Sequence, residues 1–193
     1  MLENVLKSNN IAVKITVKSL VSAGLVVAAA FLPLLVHSVA GASGGATWLP
    51  MYLPVLVGGC LLGGVFGATI GACSPVASYF ISQAVLGAAM PAAIKLPYMI
   101  IELTVFGLVS GLFAKKITQR PFVAFPAVFA AQIAGRAVSL LSQAIVIAAS
   151  GQGQYASLFS MIRTGLPGLF LQAVLVPLII LFLVKGMKHD RIG

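Results

Sequence analysis

Two charged residues stand where charge is least expected. Glu102 lies inside the apolar run 96–116, LPYMIIELTVFGLVSGLFAKK, and Arg136 lies inside a second run, 122–148. Even on a lenient insertion scale a charge at the centre of a membrane helix costs roughly 2.5–3.5 kcal/mol, so such a residue faces protein or a wet cavity and marks a functional site by default. At 1.5 Å per residue, Glu102 sits about 9 Å below the outer start of its helix, and Arg136 about 18 Å from the outer end of its own. An arginine side chain reaches several ångströms toward the polar side, which makes a pair across the bundle possible. Two readings stay open: the charges neutralise each other and fix helix register, or they line a cavity open to the outside and bind a polar ligand.

Other polar groups gather toward the same side. His37 ends the first apolar run, Trp48 and Tyr52 open the second, Gln83 lies near the outer end of the third, and Tyr98 stands four residues above Glu102. Gln132, Ser139 and Gln143 flank Arg136; Arg136, Ser139 and Gln143 follow i, i+3, i+7 spacing and share one helix face. Tyr155 and Arg163 fall in the last outer loop. Singly, Trp48 and Tyr98 suit the aromatic belt of a membrane interface. Together the set describes an outward-facing pocket with aromatic walls and a few hydrogen-bonding groups, the makeup of a small-molecule site. The opposite half holds almost no intramembrane polar groups, whereas a channel or complete carrier usually needs them along its whole path.

Catalytic signatures are missing. There is no Cys/His metal spacing, no glycine-rich phosphate loop followed by Lys, and no serine elbow. With two His and three acids in the chain, an acid–base pair would have to be built from Glu102 and His37, with no nucleophile beside it. The sequence is therefore read as a non-enzyme that needs no cofactor or metal. Cys60 and Cys73 fall in apolar runs and read as small packing residues.

The elements that must position these groups follow from composition. Of 193 residues 60% are hydrophobic and 8% charged, against about 25% charged in a soluble domain. Twelve Lys and Arg against three acids give a formal charge of +9, but the bases flank apolar runs, which is a topology signature and not a nucleic-acid face. The N-terminus, MLENVLKSNN, shows no cleavable signal core. The patterning predicts an all-α integral membrane bundle, a single domain over residues 1–193, with six transmembrane helices at roughly 18–37, 49–63, 67–87, 96–114, 122–148 and 165–185. Residues 38–47, SVAGASGGAT, read as a loop, as do 150–163, SGQGQYASLFSMIR, and a turn is expected within Gly63-Gly64-Val65-Phe66-Gly67. Six spans place Lys7, Lys14, Lys18, Lys115, Lys116, Arg120, Lys185, Lys188 and Arg191 on one side and leave Lys95 and Arg163 on the other, so both termini are assigned to the cytoplasm. Gly59, Gly63, Gly67 and Gly71 are spaced by four, as are Gly107 and Gly111, and Gly24 and Ala28; such spacing lets helices approach closely, within the bundle or against a partner protein.

Three stretches carry a family resemblance: TWLPMYLPVLVGGCLLGGVFGATIGACSP at 47–75, after His37; MPAAIKLPYMIIELTVFGLVSGL at 90–112; and the plan of six spans in under 200 residues with a basic cytoplasmic side. The chain resembles the substrate-binding S components of energy-coupling factor (ECF) vitamin transporters, most closely over residues 19–115. The resemblance implies a subunit of the bacterial plasma membrane that binds one water-soluble vitamin or precursor on its outer side. It would then join a membrane scaffold subunit and two ATP-binding subunits for delivery, with membrane lipid around it and no ATP site of its own. The family's first helix often carries an Ala-x-x-x-Ala strip for the scaffold; the nearest matches are Gly24 and Ala28, or Ser19 and Ala23. Arg136 suits a carboxylate or phosphate and Glu102 an amine or hydroxyl, which favours a pyridoxine-like ring or pantothenate. The competing reading is a stand-alone small-solute carrier or channel.

Overall fold

The computed structural model describes residues 11–87, 90–150 and 155–189, without the side chains of 11–14, 42–46, 150, 155–159, 161 and 187–189. Lys7 and Arg191 lie outside the described residues, as do the side chains of Lys14, Tyr155 and Lys188. The regular elements described are all helical: α1 Ile11–Trp48, α2 Tyr52–Leu62, α3 Gly64–Leu86, α4 Leu96–Leu112, α5 Ala114–Gln119, α6 Ala124–Ser150 and α7 Tyr155–His189, with 3-10 turns at Ala93–Lys95 and Pro121–Val123. Five stretches are long and apolar enough to cross a membrane: Ile15–Gly41, Gly64–Leu86, Ala93–Leu112, Pro121–Ala149 and Ile162–Gly186. A helix satisfies its backbone polar groups within its own segment, which hydrocarbon demands. The outward faces carry large apolar side chains, with Leu20 73%, Phe170 76% and Phe182 80% exposed. Water would not tolerate so much contiguous apolar surface, and lipid does. These features fit a multi-pass membrane protein.

The helices differ from the sequence reading in three places. Residues 38–47, expected as a loop, are helical apart from a break at Gly41 (φ 68°, ψ −172°), so one flexible residue does the work assigned to ten. The expected span 49–63 is an 11-residue helix, α2, about 16 Å long and well short of a hydrocarbon core of about 30 Å. Tyr52, at its start, packs edge-to-face on Phe106 with ring centroids 5.1 Å apart. Phe106 is ten residues into α4, about 15 Å from its N-terminal start. Helix α2 thus begins halfway down its neighbour, and the turn at Leu49–Met51 lies at depth. The loop expected at 150–163 is also shorter, since α6 runs to Ser150 and α7 starts at Tyr155.

The turn between α2 and α3 is the single residue Gly63, at φ 100°. The chain reverses there, so Gly59 and Gly67 do not share a helix face; they meet across the hairpin, and both abut Gly107 of α4. Gly71 lies on the Leu103 carbonyl, and Gly111 on Gly63 and Gly64. A methyl at any of these positions would collide with backbone. The glycine spacing inside the bundle therefore serves helix contact. Gly24, by contrast, has nothing within 4 Å of a hypothetical Cβ, and Ser19, Ala23, Gly24 and Ala28 all lie on the exposed face of α1. Around the glycine seam the core closes over Leu56, Ile70, Leu103, Phe106 and Val128.

Lys18 donates from Nζ to the Leu62 carbonyl at 3.0 Å, satisfying the end of α2. Helix α5 packs against α2, and α7 packs against the turn Pro121–Val123. Lys18, Lys115, Lys116, Arg120 and Lys185 are thereby brought to one end of the bundle.

Candidate functional site

The two intramembrane charges meet. Arg136 Nη1 on α6 lies 3.1 Å from Glu102 Oε1 on α4. The Glu102 side chain is fully enclosed, and 11% of the Arg136 side chain remains exposed, so the pair reaches the surface only through Arg136. Periodicity explains the meeting. Glu102 and Phe106 lie one turn apart on the buried face of α4. Gly135, next to Arg136, abuts the Phe106 ring and lets α6 approach the Glu102 backbone.

Two further elements complete the surroundings. Tyr52 of α2, fully buried, places its ring 5.9 Å from the Arg136 guanidinium carbon, a cation–π distance. The hydroxyls of Tyr52 and Ser139 approach the Glu102 carboxyl group, but neither carboxylate oxygen accepts a hydrogen bond of good geometry. From α7, Gly165 leaves the space that Arg136 Nη2 occupies; a Cβ there would sit 2.8 Å from Nη2 and 3.2 Å from Leu49 Cδ1. Arg136 Nε and Nη2 have no hydrogen-bond partner in the protein. The pair is thus held by one charge contact, with two hydroxyls near the carboxylate and two guanidinium donors unused. In a low-dielectric interior a partly satisfied polar network is costly, and a buried ion pair offsets its desolvation only when its remaining groups are also bonded.

The other candidates divide by position. Buried Gln132 donates to the Leu169 carbonyl at 2.9 Å and ties α6 to α7. Gln143 donates to the carbonyl and hydroxyl of Ser139, each at 3.2 Å, so the predicted shared face on α6 is real but its amide is turned back along the helix. Tyr98 and His37 are half-buried, and Trp48 is 44% exposed. Gln83 is exposed on α3. Arg163 is exposed and, with Ser160, Ile162 and Leu166, lines an open hollow of about 400 Å³ to which neither Glu102 nor Arg136 contributes. The structure therefore brings Tyr52, Glu102, Arg136 and Ser139 into one cluster and sets the rest around or away from it. Cys60 is buried and Cys73 exposed, both as free thiols. Among the described residues no three of His, Cys, Asp and Glu gather to hold a metal.

No family model, curated protein or solved structure matches this chain.

One member of the neighbourhood was missed from sequence. Gln172 of α7 is 2% exposed and donates from Nε2 to the Trp48 and Leu49 carbonyls at 3.2 and 2.8 Å. The available signal was a lone amide in an otherwise apolar span, a residue type that glues membrane helices together.

Proposed function

We propose that the chain is the solute-binding subunit of a vitamin importer of the ECF type, an S component, and that the Glu102–Arg136 pair is the polar heart of its binding site. One observation carries this: a charge pair buried at depth, with Arg136 Nε and Nη2 lacking hydrogen-bond partners and the carboxylate approached by the Tyr52 and Ser139 hydroxyls without good hydrogen-bond geometry. Those atoms suit a solute that offers an acceptor or anion to Arg136 and a donor to Glu102, such as a pyridoxine-like ring or pantothenate. In this reading the chain crosses the membrane six times, the helical piece after the Gly41 break, the turn at depth and the short α2 together making one crossing. Both termini lie in the cytoplasm, because the basic end formed by Lys18, Lys115, Lys116, Arg120 and Lys185 faces inward. The chain hydrolyses no ATP; a scaffold subunit and two ATP-binding subunits supply that step. The exposed strip of Ser19, Ala23, Gly24 and Ala28 is offered as the scaffold contact.

The test is binding by the purified chain alone. In detergent or nanodiscs without ATP it binds one vitamin of a panel, and vesicles holding it alone take up none. Uptake by the chain alone would instead make it a stand-alone carrier. A second reading draws on the complete enclosure of Glu102: the pair only fixes helix register, and the protein is a membrane scaffold without a solute. No binding across the whole panel would favour it.

A further inference from the structure

The segment that joins α1 to α2 is irregular backbone at membrane depth. Such backbone persists only where protein or a water-lined cavity satisfies its polar groups. Trp48 ends α1, so its carbonyl is one of the acceptors that a helix C-terminus leaves free. Leu49 follows at φ 48°, a left-handed conformation uncommon outside glycine. Its carbonyl accepts the Tyr52 amide at 3.1 Å, and the remaining capacity of both carbonyls is taken by the single amide group of Gln172.

Helix α7 is shaped for this contact. Gly165, Gly168 and Gln172 follow i, i+3, i+7 and share a face. A Cβ on Gly168 would lie 2.8 Å from the Trp48 carbonyl carbon, so the absence of a side chain admits the segment against the helix. One turn away, Gly165 receives Leu49 Cδ1 and Arg136 Nη2 side by side. The Leu49 side chain therefore lies beside the buried Nη2 end of the guanidinium.

We infer that Gln172 is a catch: its two hydrogen bonds hold the Trp48–Leu49 turn down beside Arg136, and releasing them lifts the turn and uncovers the guanidinium. Gln172 is a positioning residue, acting through the turn. That a solute enters by this route rests on the binding reading above; the catch itself does not, and its test needs no solute.

The experiment compares the full chain in nanodiscs with Gln172→Met, which keeps volume and removes the donors. Gln172→Leu, which removes both donors with a shorter apolar side chain, serves as the second variant. Gln132→Met is the control, since it removes an equally buried bond between α6 and α7 without touching the turn. Hydrogen exchange of the 47–52 amides and phenylglyoxal labelling of Arg136 are both read by mass spectrometry. Loss of two hydrogen bonds predicts about tenfold faster exchange at 47–52 and a similar rise in Arg136 labelling in either Gln172 variant, with the control within about twofold of wild type. Unchanged exchange in whichever Gln172 variant folds, or equal acceleration in Gln132→Met, overturns the catch. Faster exchange without added Arg136 labelling overturns the claim that the turn covers the pair.

Discussion

Removing one member of the Glu102–Arg136 pair should harm the protein more than removing both charges. Unit charges 3.1 Å apart attract by about 5 kcal/mol at an effective dielectric of about 20. Desolvation offsets much of this, so the pair adds little net stability, yet breaking a buried pair costs about 3–5 kcal/mol because a lone charge is left behind. The two single variants should differ. Arg136→Met strands a carboxylate whose side chain has no exposure, whereas Glu102→Gln leaves an arginine 11% exposed and long enough to reach the polar side. We expect about 4 kcal/mol for Arg136→Met, about 2 for Glu102→Gln, and a double variant within about 1–2 kcal/mol of wild type. At about 2–4 °C per kcal/mol for a chain of this size, Arg136→Met lowers Tm by about 8–16 °C. Thermal unfolding in detergent can be read from Trp48, the only tryptophan. Additive losses in the double variant would show the two groups uncoupled and refute the reasoning.

Gly107→Ala should force α3 and α4 apart, because the new methyl meets the Gly67 carbonyl backbone; a loss of about 1–3 kcal/mol or more is expected in the same melting assay. Gly24→Ala, facing open space, should leave Tm within about 1 °C, on the scale of a neutral surface change. Gly165→Ala should behave differently from both. Its methyl meets only the flexible ends of Arg136 and Leu49, so the fold survives while the guanidinium is displaced and solute affinity falls about tenfold or more, read by calorimetry. In a background lacking Cys60 and Cys73, a cysteine at Lys116 should react with a membrane-impermeant maleimide only in inverted vesicles; labelling from outside would reverse the topology.

The pair was legible in the sequence because charge inside a long apolar run has few explanations. Spacing placed both residues at compatible depths, and long-range packing needed only to bring α4 and α6 together. The long helices were legible for the same reason. The short α2 was not, because the apolar run across 49–87 carries no charge to show that Leu49, Pro50 and Met51 form a turn packed inside the bundle. Nor could spacing reveal that the chain reverses at Gly63, which turns an apparent four-residue stripe into two helices meeting at Gly107. Gln172 escaped notice because an amide's importance depends on the carbonyls it meets, here more than a hundred residues earlier in the chain.

The most direct measurement is a thermal-shift series with a panel of water-soluble vitamins on wild type, Glu102→Gln and Arg136→Met. The account predicts that one compound at about a hundred times its Kd stabilises wild type by about 2.7 kcal/mol, and that both variants lose the shift. A compound that stabilises all three proteins equally, or a panel that stabilises none, would contradict it.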